Sequence, residues 1–158
     1  MTSKFAALAA NVSDTFRVEL IDPITDDVLR DKAGNAAYID VLSMDSEAGR
    51  KFDADARQRA FRSARKSRTG HPDIDPDEEN RRKLAQLTRG WRLVDPVTRE
   101  GLDVPCTPEN ALELYCEAGM AWLFDQVFAG AANAGNFMRR RSTTSSPSPR
   151  PSFETPTS

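Results

Sequence analysis

The chain has few of the residues that build reaction centres. Its 158 residues include a single histidine, His71, and two cysteines, Cys106 and Cys116. One histidine and no closely spaced cysteine pair do not supply the ligands of a zinc site, and the two cysteines predict free thiols in a reducing compartment. A glycine-rich phosphate loop and a Gly-x-Ser-x-Gly elbow are also missing. The sequence therefore predicts no catalytic residue, no metal and no cofactor, and a protein that is not an enzyme.

Long apolar runs and a strong excess of charge are lacking as well. No run approaches the roughly 18 apolar residues that a membrane span requires, and the alanine-rich stretch at residues 5–10 is too short to predict a secretion signal. The 22 basic and 24 acidic residues leave a net charge of −2, so the whole chain has no attraction for nucleic acid. These absences favour a cytoplasmic protein with no membrane partner.

The first part of the chain has the pattern of a small β-sheet. Phe16, Val18 and Leu20 alternate with charged residues, which is the period of a strand. Residues 38–42 form a second β-prone run. A sheet this small needs a helix on one face for stability. The prediction is a flexible lead at residues 1–14 and an antiparallel β element at residues 15–44.

Charged helices are predicted next, over residues 45–89. The first begins at Asp45 or Ser46 and runs to about Arg68, with an apolar stripe that includes Phe52. The second runs from about Pro76 to Arg89 and is stopped by Gly90. Acidic residues at its start and basic residues further along complement the helix dipole.

A tryptophan hairpin and apolar helices are predicted over residues 90–141. Thr107 and Pro108 have the pattern of a helix start, because the hydroxyl caps a free backbone N–H and proline suits the first turn. A further helix places Met120, Leu123, Phe124, Val127 and Phe128 on one face. Residues 142–158 are rich in serine and proline, which predicts a disordered tail. The fold class predicted for residues 15–141 is a single α+β domain, mostly α, with the small N-terminal antiparallel β element packed on a helical body.

Two short segments of the chain resemble each other. Residues 93–98 repeat the pattern of residues 20–25: two apolar residues, then Asp-Pro, a β-branched residue and threonine. We interpret both as turns with similar requirements, because a true internal repeat needs a longer span of similarity.

Aromatic residues of the C-terminal half are candidates for partner binding. Aromatics at helical spacing are usually core, so at least half of the aromatics in this region are expected to be buried within the monomer. The remainder are predicted to bind a partner segment, and Trp122 is favoured because it lies beside the main apolar stripe. The predicted partner-binding residues are Trp91, Tyr115, Trp122, Phe128 and Phe137.

The basic helix is a candidate for nucleic-acid binding. Between Arg50 and Arg68 there are eight basic and two acidic residues, a formal charge of +6, and such a stretch can bind nucleic acid. The segment 71–79 that follows is acidic and is expected to neutralise it. The sequence therefore does not favour a nucleic-acid partner.

The stretch from Gly90 to Phe137 resembles the tail assembly chaperones of tailed bacteriophages. The motifs that carry the resemblance are the Gly90-Trp91 pair, the hairpin from Asp95 to Gly101, the helix start Thr107-Pro108-Glu109-Asn110, the aromatic helix from Trp122 to Phe128, and Asn136-Phe137. The resemblance covers about 50 residues well and the N-terminal half in outline only.

This resemblance implies a non-enzymatic assembly factor. Proteins of this family coat the long, largely helical tape measure protein before the tail tube polymerises, recruit tube subunits, and are absent from the finished virion. The implied partners are the tape measure protein and the tail tube protein, with self-association as a further expectation, and the implied location is the host cytoplasm. Two alternatives stay open: a virion structural or connector protein of the tail, and a basic-helix nucleic-acid binder.

Overall fold

The computed structural model describes residues 4–70 and 74–138. Within these residues, four antiparallel strands form one sheet and four α-helices accompany it, with more helix than strand. The predicted α+β class is confirmed. The predicted disordered tail at residues 142–158 lies outside the described residues, as does His71.

The N-terminal β element and the tryptophan hairpin form a single sheet. The second strand pairs with the first on one side and with the third on the other, both antiparallel. The strand order therefore follows the chain, and the first and third strands run in the same direction. The strands are β1 (Thr15–Glu19), β2 (Tyr38–Leu42), β3 (Thr88–Val94) and β4 (Gly101–Leu102).

The two faces of the sheet differ in polarity, as the period-two pattern predicts. Val18, Ile39 and Trp91 lie opposite one another on the face that meets the helices. On the other face, Arg17 donates to the Asp40 carboxylate at 3.0 Å.

Side-chain caps set the helix starts. The Ser46 hydroxyl accepts from the Gly49 N–H, and the Thr107 hydroxyl accepts from the Asn110 N–H, which confirms both predicted starts. The Asp75 carboxylate accepts from the Asp77 N–H. The helices are α1 (Glu47–Lys66), α2 (Pro76–Leu87), α3 (Pro108–Cys116) and α4 (Ala121–Ala132), with 3₁₀ turns at Ala6–Leu8 and Ala134–Phe137.

The predicted end of α2 is wrong. The helix ends at Leu87, and Gly90, expected to stop it, lies inside β3 opposite Asp40. The Thr88 hydroxyl donates to the Leu84 carbonyl at 2.8 Å, so it satisfies one of the free carbonyls at the helix end. Backbone pairing with β2 then holds residues 88–92 as a strand.

The core lies between the sheet and helices α2, α3 and α4. A glycine permits the closest approach of α4 to β1, because a Cβ at Gly130 would lie 2.5 Å from the Val18 side chain. The lead is also attached to this part of the molecule, since the Asn11 N–H donates to the Phe137 carbonyl. The largest fully buried apolar side chains are Leu20, Leu29, Ile39, Val41, Leu84, Leu87 and Val127.

The two similar segments form the same turn. In each, the aspartate carboxylate accepts a 2.8 Å hydrogen bond from the backbone N–H two residues later, at Ile24 and at Val97. Each turn closes with a positive φ, 59° at Asp26 and 63° at Arg99. The interpretation of two turns with similar requirements is confirmed.

Arg99 holds the two turns together at one end of the sheet. Both turns lie at this end because β1 and β3 run in the same direction. The Arg99 guanidinium lies 3.5 Å from the Asp22 carboxylate, which is buried, and donates to the Arg30 carbonyl at 3.3 Å. A surface arginine thus supplies the counter-charge of a buried acid.

Arg99→Ala is expected to lower the free energy of unfolding by about 1–3 kcal/mol, because it leaves the buried Asp22 carboxylate with fewer partners. Arg99→Gly is expected to cost about 1 kcal/mol less than Arg99→Ala, since glycine adopts the positive φ without strain. Urea denaturation of both variants measures the two free energies of unfolding. Equal losses in the two variants would show that the backbone at residue 99 is not strained.

Candidate partner-binding site

Two of the five predicted partner-binding residues lie in the core of the monomer. Tyr115 is 2% exposed and Phe137 is 3% exposed. The Tyr115 hydroxyl lies 2.7 Å from the Thr88 hydroxyl, and burial raises the pKa of this tyrosine. The Phe137 ring packs edge-on against Phe16. This corrects the prediction for both residues: their rings contribute to the core and are almost entirely covered within the monomer.

Trp91 and Phe128 are half-buried at the edge of the core. The Trp91 ring lies on the helix-facing side of β3, and its indole N–H donates to the Val104 carbonyl at 2.8 Å. The ring therefore joins the sheet to the loop that leads into α3. Phe128 packs against Phe124, with ring centroids 5.5 Å apart.

Trp122 borders an open apolar cleft, here named the Trp122 cleft. The cleft has a volume of about 210 Å³ and lies between the β3–β4 hairpin and the start of α4. Its walls come from parts of the chain that are far apart in sequence. They include Pro96, Leu102, Leu114, Met120, Trp122 and Leu123.

Two features position Trp122 at this cleft. Gly119 has φ +86°, which lets the chain change direction between α3 and α4. Gln126, one turn further along α4, accepts from the Ile21 N–H at 2.7 Å and donates to the Ile21 carbonyl at 3.0 Å. This pair of hydrogen bonds fixes α4 against the end of β1. Sequence reasoning missed Gln126, since nothing local identifies a partner 105 residues away.

Exposed apolar side chains occur at the same end of the sheet. Ile24 and Val97 occupy equivalent positions in the two turns and are 75% and 81% exposed. Leu102, on the wall of the cleft, is 52% exposed. Exposed apolar side chains beside an apolar cleft are typical of a binding surface.

The charge at the cleft is small. Asp95 lines it, but its carboxylate accepts hydrogen bonds from the Val97 and Thr98 N–H groups. Those bonds lower the pKa of Asp95 and keep the carboxylate within its turn. The cleft is therefore suited to one or two apolar side chains of a partner rather than to a charged ligand.

Reactive groups are not clustered in the described part of the chain. Among residues 4–70 and 74–138, no three His, Cys, Asp or Glu side chains come close enough together to hold a metal ion. Cys106 and Cys116 are free thiols, and burial raises the pKa of Cys106. The helices of the same residues are too short or too polar to cross a lipid bilayer.

Comparisons with known proteins add no relative. No protein-family model matches the chain, and neither a curated protein nor a solved structure shows significant similarity to it.

Proposed function

We propose that this protein is a non-enzymatic phage tail assembly chaperone that binds the tape measure protein at the Trp122 cleft. The observation that carries the proposal is the open apolar cleft beside exposed Val97 and Leu102. The choice of partner rests on the resemblance over Gly90–Phe137, and the cleft is built largely from that segment.

The chemistry of the cleft fits the proposed partner. A long helical tape measure protein that is not yet enclosed by the tail tube exposes rows of apolar side chains. These side chains aggregate unless another protein covers them. A helix-in-groove contact draws its affinity from a few apolar anchors seated in pockets. The Trp122 cleft has room for such an anchor, and exposed Val97 follows Pro96 of its wall.

Co-expression tests this proposal. The tape measure protein encoded by the same genome is expressed alone and together with this chain, and the soluble fraction and co-purification are measured. We expect the tape measure protein to be insoluble alone and soluble in complex with the chain. No gain in solubility and no co-purification would refute the proposed function.

Mass spectrometry of purified virions distinguishes the chaperone from a structural protein. A chaperone leaves before the particle is complete, so its peptides are expected to be missing from virions and present in infected cells. Peptides at a level near that of the tail proteins would favour a virion structural or connector protein instead.

A further inference from the structure

One side of α1 carries an exposed aromatic ring between arginines. Arg57, Phe61 and Arg65 follow at four-residue steps, so they lie on one side of the helix, here named the Phe61 face. The Phe61 ring is 73% exposed, and both arginines are exposed. The helix borders α2 through Phe52 and Ala60, and Arg57 lies at the margin of this groove.

Most basic side chains at residues 56–68, the second half of α1 and the two residues after it, have no ion pair among the described residues. Of these basic residues, only Arg59 has an ion pair within the described residues, with Glu79 at 2.9 Å. Among residues 74–79, the described part of the acidic segment, the neutralisation is therefore small: Glu78 pairs with Arg82 inside α2, and Asp75 caps that helix. Residues 56–68 contain no acid and six basic residues: Arg57, Arg59, Arg62, Arg65, Lys66 and Arg68.

A recess of complementary character lies between α2, α3 and α4. It has a volume of about 360 Å³ and includes the apolar side chains of Ala118 and Phe124. Three carboxylates, Asp77, Glu117 and Asp125, also line it, together with one cation, Arg81. Its α3 and α4 walls belong to residues 103–138, which contain five acidic residues and no lysine or arginine. Here it is named the acidic recess.

We infer that the Phe61 face of one copy docks into the acidic recess of a second copy. The exposed ring meets the apolar part of the recess, and Arg57 and Arg65 meet Glu117 and Asp125. The recess of the same copy is out of reach, because α1 and the recess contact different residues of α2 and Phe61 points to solvent.

This contact joins two different surfaces, so a pair of copies keeps one free Phe61 face, on one copy, and one free acidic recess, on the other. Such a head-to-tail contact builds a ring if the rotation closes and an open chain of copies if it does not. Trp122 is outside the contact, since it lines the cleft and not the recess. Self-association and tape measure binding therefore use different surfaces, and each can be tested without the other.

Sedimentation velocity of the full chain over a range of concentrations tests the inference. The wild type is expected to associate at low salt and to dissociate as salt screens the charges. Arg57→Glu/Arg65→Glu is expected to be monomeric, and so is Glu117→Lys/Asp125→Lys. An equimolar mixture of these two variants is expected to associate again, because the reversed charges of one match those of the other.

Two controls separate this contact from a general charge effect. Lys51→Glu/Arg89→Glu changes the net charge equally at exposed residues outside the Phe61 face and should associate like the wild type. Phe61→Gln keeps the charges and the helix, and is expected to weaken association about tenfold or more. Phe61→Gln also tests the contact if a charge-reversal variant fails to fold.

Several results would overturn the inference. They are a wild type that stays monomeric at every concentration, a mixture of the two reversed variants that does not associate, and a Phe61→Gln variant that associates normally. A monomeric wild type that retards a single-stranded oligonucleotide in a gel, with the effect lost in Arg57→Glu/Arg65→Glu, would instead assign the Phe61 face to nucleic acid.

Discussion

Replacing Tyr115 by alanine is expected to lower the free energy of unfolding by about 3–5 kcal/mol, a large share of the roughly 5–15 kcal/mol of a typical domain. The ring is buried and packs edge-on against Phe124, with centroids 5.8 Å apart. The Thr88 hydroxyl donates to the Leu84 carbonyl, so Tyr115 is the donor in the bond between the two hydroxyls. Truncation removes the packing and leaves a buried hydroxyl oxygen without its donor.

Urea denaturation followed by tryptophan fluorescence measures this loss. Tyr115→Phe is the matched control, because it keeps the ring and removes only the hydroxyl, and it is expected to cost about 1 kcal/mol. If Tyr115→Ala leaves the denaturation midpoint unchanged, the ring is not part of the core and returns to the candidate partner surface.

Replacing Trp122 by alanine is expected to weaken binding to the tape measure protein by at least about 2 kcal/mol, a factor of roughly 30, while the chain stays folded. The ring forms part of the cleft wall and is half-buried in the free chain. Large aromatic side chains at the centre of an interface carry most of its affinity, since they fill pockets and exclude water. Co-purification and the melting curve of the variant are measured together.

Two further variants make this test specific to the cleft. Leu102→Asp places a charge on the exposed part of the cleft wall and is expected to abolish co-purification with little change in melting temperature. Val127→Ala, in the same helix but fully buried, is expected to lower the melting temperature and to leave binding intact below it. Normal binding by both Trp122→Ala and Leu102→Asp would place the partner site elsewhere.

Signals confined to a few neighbouring residues predicted the elements well. Ser46 and Thr107 mark helix starts because a side-chain oxygen caps the free N–H groups within the same turn. Alternation around Val18 predicted the first strand, since a half-buried strand repeats every two residues, and the β-prone run at residues 38–42 predicted the second. The two Asp-Pro turns were also readable, because each aspartate bonds to its own turn.

Features that depend on contacts with distant residues could not be predicted from the sequence. Local pattern alone extended α2 to Arg89, whereas pairing with β2 takes residues 88–92 into the sheet. That same pairing merges two elements that the sequence presents as separate. Nothing near Arg99 or Gln126 indicates that their partners are Asp22 and Ile21.

The sequence identified the aromatic residues that face the apolar side of the fold, and the tertiary structure decided which of them are buried and which stay accessible. Helical spacing shows that such residues line an apolar face, but the face is wider than the core it covers. Packing against β1, β2 and α2 buried Tyr115 and Phe137, while the turn at Gly119 and the Gln126 hydrogen bonds left Trp122 beside an open cleft. The sequence by itself determined the helix starts at Ser46 and Thr107, the first two strands, the two Asp-Pro turns and the absence of a reaction-centre motif, because those depend on neighbouring residues. Which apolar side chains stay accessible was decided only by the fold, because burial depends on residues that are distant in the chain.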